Sequence, residues 1–115
     1  MPLEVRKLLT DVQEAAAAIA EFTAGKTLAD FTGDKLLRSG IYYQFVIIGE
    51  ALSQLRAMND PILEKISEHW RIIGFRNQII PGYAKIDDEI TWRIIQDKVP
   101  VLQREVALIL ASPGS

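Results

Sequence analysis

The sequence predicts an all-α protein, an antiparallel bundle of four to five helices, and three features carry that expectation. Apolar residues recur at steps of three and four through most of the chain. Residues that start and stop helices fall between the periodic runs. No stretch alternates at period two for long enough to make a convincing strand.

Taken in order, the first helix carries Val5, Leu8, Val12, Ala16, Ile19 and Phe22 on one face, and its run Ala15–Ala18 strongly favours helix. Gly25 is the expected stop. Thr27 and Asp30 are spaced for a small capping box around a single turn. A second long helix is expected from about Asp34 to Met58, with the stripe Leu37, Ile41, Phe45, Ile48, Leu52 and Leu55 close to a coiled-coil seam. That seam reads either as intramolecular core or as an assembly surface. Asp60-Pro61, a cap residue followed by proline at the first helical position, starts a short helix, and another runs through His69–Ile79. Pro81-Gly82 breaks the chain, because a helical proline loses a hydrogen bond and clashes at a cost of roughly 3 kcal/mol. Asp87 then caps a last helix with the stripe Trp92, Ile95, Val99, Leu102, Val106 and Ile109. Pro100 lies inside that stripe, so a kink or a brief break is expected there.

A length of 115 residues suits one domain, expected over 1–111 with 112–115 as a loose tail. Hydrophobic residues at 49% and charged residues at 24% are the proportions of a globular chain and exclude a disordered one. The absence of cysteine removes disulfides, thiolate zinc sites and cysteine nucleophiles, and fits an intracellular protein. The start lacks a continuous apolar signal region, and Phe45-Val46-Ile47-Ile48 is too short to span a bilayer. A cytoplasmic protein with no membrane partner is expected. A net charge of −2 exerts no global pull toward nucleic acid.

Few residues can carry chemistry. One histidine and no cysteine exclude a typical zinc site, and Asp87-Asp88-Glu89 read as first-turn acids favoured by the helix dipole. No metal is therefore expected. His69, the single imidazole, reads as a surface or half-buried residue, since a general base needs a positioned partner. The glycines are scattered singly, so there is no phosphate-binding loop. Glu50 sits beside the apolar run Val46-Ile47-Ile48-Gly49, either at a flank reaching solvent or partly buried and paired with an arginine of another helix. From His69 to Ile86 the chain carries Arg71, Arg76 and Lys85 and no acid. That stretch reads as a site for a phosphate-bearing partner, or as cations that pair with acids elsewhere in the bundle.

Gly49-Glu50-Ala51, Trp70 to Asn77, Gly82-Tyr83, and Ile86-Asp87 to Trp92 with Ile95-Gln96 form an ordered set over nearly the whole chain. In that set the sequence resembles the HepT-like proteins of the HEPN superfamily, long known as domain-of-unknown-function family 86. The resemblance implies a HEPN-like helical bundle that forms a homodimer, encoded beside a minimal nucleotidyltransferase antitoxin. It implies a toxin that is a metal-independent ribonuclease needing no cofactor. The family motif is an arginine, four to six residues, a histidine, any residue and a tyrosine, and two copies meet across the dimer to form one RNA-cleaving cleft. The partner silences the toxin by transferring AMP to the tyrosine. Carried over, Arg76 matches the motif arginine, Asn77 its polar neighbour and Tyr83 the modified tyrosine. Arg71, Arg76, Asn77 and Lys85 become the expected RNA contacts.

The histidine position is Pro81. Metal-free RNA cleavage moves a proton off the 2′-hydroxyl and onto the leaving oxygen, work for a group titrating near neutrality. Proline has none, so cleavage is expected to be weak or absent. His69 lies seven residues before Arg76, about 10 Å along a helix axis, too far for both to engage one phosphate from a single helix. The alternative to a disabled ribonuclease-type toxin is a non-catalytic, protein-binding scaffold module. An intact ribonuclease using His69 or Tyr83 ranks last, tyrosine being a poor base near neutral pH.

Overall fold

A computed structural model of the chain describes residues 1–80 and 86–112. Among these residues there is no strand, and six α-helical segments are joined by short turns. They are α1 (Leu3–Thr23), α2 (Leu28–Gly33), α3 (Lys35–Ala57), α4 (His69–Ile79), α5 (Asp88–Asp97) and α6 (Val99–Ala111), with a 3-10 turn at Pro61–Lys65. The described chain is 19 Å deep along its shortest axis, about two helix diameters, so the helices form two layers. α1 packs along α3 and α6, α4 lies on α3, and α5 covers α2 and α6.

Capping chemistry sets the boundaries. Thr27 and Asp30 form the reciprocal box that starts α2. The Asp34 carboxylate accepts from the Leu37 N–H at 3.1 Å to start α3, and Asp60 accepts from the Ile62 N–H at 2.9 Å before the 3-10 turn. Gly25, at φ +72°, closes α1 in the left-handed region that glycine enters freely. Lys98 ends α5 and opens α6, so the expected break separates two helices. Pro100 falls in the first turn of α6, where its missing N–H leaves no hydrogen bond unmade.

The core is the seam between α1 and α3, closed by α6. Leu9, Val12, Ala16 and Ile19 of α1 meet Ile41, Phe45, Ile48, Leu52 and Leu55 of α3, and Val106 completes the packing; all are fully buried. One stripe position differs from expectation. Phe22 is 39% exposed, and Thr23 takes the inward place, its hydroxyl donating to the Ile19 carbonyl at 2.8 Å. Both positions follow Ile19 at helical spacing, and Phe22 lies beside Gly40 of α3. The Phe22 ring lies where it would contact a β-carbon at Gly40 at 3.7 Å, across the outside of the seam.

Candidate functional site

α4 is fixed at its start by α6. The N–H and hydroxyl of Ser67 both donate to the Glu105 carboxylate, at 2.9 and 2.6 Å. Glu68, in the left-handed region at φ 53°, joins its carboxylate to Lys98 and lies 3.8 Å from Arg71. The Lys98 ammonium, and to a lesser extent Arg71, holds that carboxyl below its ordinary range. Further along, Ile72, Ile73 and Phe75 are buried, and the Phe75 ring meets Phe45 edge-on at 5.0 Å.

This packing delivers Arg76 to α3 at Gly49. A β-carbon at Gly49 would lie 2.3 Å from Arg76 Cβ and 2.5 Å from its Cγ, so only glycine lets the arginine stem rest on the α3 backbone. One residue on, the Glu50 carboxylate accepts from the Arg76 guanidinium, whose other terminal nitrogen donates to Asn77 Oδ1 at 2.9 Å. The Arg76 side chain is 19% exposed, and its buried Nε has no hydrogen-bond partner among the described residues. Glu50 is 52% exposed, so the pair adds at most about 1 kcal/mol of stability. Its physical consequence is orientation: a planar fork of donors is held in one place with an edge toward solvent. Such a fork binds a phosphate and stabilises developing negative charge. It does not serve as a base, because arginine stays protonated.

The structure thus brings Arg76, Asn77 and Glu50 together, and it separates them from Arg71. The Arg71 guanidinium sits 5.8 Å from the Trp70 ring centre on the side of α4 that faces α5. His69 opens α4 with Nδ1 3.1 Å from the Ile66 carbonyl, about two turns from Arg76. Pro81, Tyr83 and Lys85 lie outside the described residues. Among the described residues no three His, Asp or Glu side chains converge as metal ligands, and no helix is long and apolar enough to cross a membrane. Two features went unread in the sequence. Gly49 is a point of backbone approach, and a groove opens between α4 and α5 around Trp70, Ile90 and Arg93. The only local signal of the groove was that Trp70 and Ile90 stand off the buried stripes.

The class is thus an α-helical bundle that seats an arginine of α4 against a glycine–glutamate step of α3. The chain belongs to the HepT-like ribonuclease family, whose model matches residues 12–109. It is 32% identical over 108 residues to MJ1380, a candidate RNase of Methanocaldococcus jannaschii, covering 92% of this chain and 96% of that one. A second candidate RNase of the same organism, MJ0127, is 31% identical over 108 residues, covering 93% of this chain and 88% of the other. A candidate RNase of Caldanaerobacter subterraneus, TTE0752, is 29% identical over 107 residues, covering 91% and 93%. No solved structure gives a significant match.

Proposed function

We propose that this chain is the toxin component of a HepT-like pair, descended from metal-independent ribonucleases and regulated by a minimal nucleotidyltransferase antitoxin. The seating of Arg76 is the observation that carries the reading. A glycine is kept where any larger residue would collide, and an acid is spent on orienting a guanidinium that contributes little to stability. That arrangement suits an arginine held for a phosphate. Family membership and the similarity to candidate RNases support RNA as the source of that phosphate.

In this reading Arg76 grips the scissile phosphate and Asn77 lines it, with Arg71 and Lys85 adding charge. A homodimer pairs two such sites in one cleft, and Tyr83 is the acceptor of AMP from the partner enzyme. Pro81 replaces the motif histidine, so no side chain there takes the 2′-hydroxyl proton or returns one to the leaving oxygen. Loss of an acid–base group costs roughly two to four orders of magnitude in rate. RNA binding survives and cleavage falls to a residue. One observation favours a second reading, a non-catalytic protein-binding module: Arg76 and Arg71 both have acid partners, which lowers the free positive charge.

RNA cleavage by the protein, with EDTA present, is measured beside Pro81→His and Pro81→His/Arg76→Ala. Cleavage that rises about a hundredfold or more in Pro81→His and disappears with Arg76→Ala supports the disabled-ribonuclease reading. No cleavage by any form, together with salt-independent behaviour toward RNA, supports the module instead.

A further inference from the structure

On the side of α4 turned away from Arg76, α4 and α5 leave an open groove of about 540 Å3. Trp70 and Arg71 form one wall, Ile90, Arg93 and Ile94 the other, and Asp97 and Lys98 stand where α5 meets α6. Trp70 is 59% exposed and Ile90 50% exposed, so two large apolar side chains are left out of the core at one place. The Arg71 guanidinium lies 5.8 Å from the indole centre.

The charge around the groove is unbalanced. Arg71 and Lys98 share a single carboxylate, that of Glu68. Arg93 is exposed and has no ion-pair partner among the described residues, although Asp97 lies one turn further along α5. Three cations therefore face two acids, with an indole face beside them. The volume falls within the roughly 300–1,000 Å3 of small-ligand pockets, which suits a nucleotide better than a partner helix that would need a long trough.

We infer that this groove is a nucleotide subsite for single-stranded RNA. A base stacks on Trp70 against the apolar floor of Ile90 and Ile94, and its phosphate meets Arg93, with Arg71 and Lys98 alongside. Aromatic faces stack any base without reading sequence, and a basic rim tracks the backbone, so the subsite grips RNA without selecting among sequences. The inference rests on RNA as the ligand of this protein, but it places one nucleotide across α4 from Arg76, about a helix width away. The groove binds and positions RNA; the chemistry stays at Arg76.

Two tryptophans make the test direct. Trp92 is half-buried against Phe31, so Trp92→Phe keeps an aromatic ring there and leaves Trp70 as the sole indole. A short oligouridylate is titrated into that variant while indole fluorescence is followed, and labelled-RNA anisotropy is measured for Trp70→Ala, Arg93→Ala and Arg76→Ala. Thermal melts verify that each variant folds, and both groove residues are exposed, so folding should be unaffected. The expected result is saturable quenching of Trp70, binding weakened about tenfold or more by Trp70→Ala, and a salt slope reduced by about one in Arg93→Ala. RNA binding that leaves Trp70 fluorescence unchanged and is lost only in Arg76→Ala overturns the subsite while leaving the ribonuclease-derived reading intact. Quenching and Trp70 dependence with no cleavage even in Pro81→His sustains the subsite and removes that reading. No RNA binding, with Trp70 fluorescence changing only as protein concentration rises or on adding a nucleotidyltransferase, overturns the subsite in favour of a protein interface.

Discussion

Toward α3, helix α4 comes in so closely that Gly49 admits no β-carbon, and the stem of Arg76 lies on the opposing backbone. Toward α5, the same helix leaves a groove of about 540 Å3 with Trp70 half-exposed at its rim. One sequence of eleven residues therefore has a closed face and an open face. The closed face fixes a guanidinium by packing and a single acid. The open face exists because α5 is anchored elsewhere: Tyr42 of α3 donates to Asp88 at 3.2 Å, and Trp92 packs on Phe31 of α2 at 5.5 Å. A helix held tightly on one side and left free on the other can fix one side chain by packing while keeping an open surface.

Truncation on the closed face should have the largest effect. Phe75 is 4% exposed and meets Phe45 at 5.0 Å, so Phe75→Ala is expected to destabilise by about 3–5 kcal/mol in chemical denaturation. A loss under about 1 kcal/mol would show that α4 is only loosely docked and that Arg76 is not held by packing.

Gly49→Ala comes next. In an open helix the change would stabilise, since glycine is about 1 kcal/mol worse than alanine. Here the methyl meets the near end of the Arg76 side chain, which cannot swing away without its backbone, so a loss of about 1–3 kcal/mol is expected. Gly49→Ala/Arg76→Ala should recover little of that loss, because alanine keeps the Cβ nearest the added methyl and removes only the Cγ and Cδ contacts. Full recovery in the double variant would mean that the arginine stem beyond Cβ, and not the close approach of the two helices, carries the clash.

Helix ends were legible because caps are local. Thr27 with Asp30, Asp34, Asp60-Pro61 and Asp87 each satisfy N–H groups two or three residues away, and short-range pattern suffices to find them. Phe22 was not legible, because it and Thr23 both follow Ile19 at helical spacing and periodicity alone does not choose between them. Charge was legible only in part. The stretch 69–86 has no acid of its own, yet Arg76 finds Glu50 twenty-six residues earlier and Arg71 finds Glu68 just before α4. Glu50 combines its two open readings, half in solvent and paired with an arginine. The groove left only the trace that Trp70 and Ile90 stand off the buried stripes, since its width is set by how α3 and α2 hold α5.

That anchorage has a pH signature. Burial, assisted by the neighbouring Asp88 carboxylate, pushes the Tyr42 hydroxyl above its ordinary value near 10. A raised folded-state value means that the unfolded chain loses this proton first as pH climbs. The contribution is fully present below about pH 10 and is lost as pH rises from there through the folded-state value. Tyr42→Phe should cost about 1 kcal/mol at neutral pH for the lost hydrogen bond, and should flatten part of the alkaline decline in melting temperature. An unchanged alkaline profile would mean that Tyr42 does not couple α5 to α3, and that something else sets the groove.

The smallest effect gives the cleanest contrast between the two faces. Gly74 sits in the middle of α4 on the groove side, and a β-carbon there would meet nothing within 4 Å. Gly74→Ala should therefore stabilise by about 0.5–1 kcal/mol, through helix propensity and a less flexible unfolded chain. The same substitution at Gly49 should destabilise, so two glycine-to-alanine changes on facing helices are expected to differ in sign. A loss of stability in Gly74→Ala would mean that the groove is filled in solution, by another part of the chain or by a second copy. A gain that persists across a range of protein concentrations would mean that the groove stays open in solution.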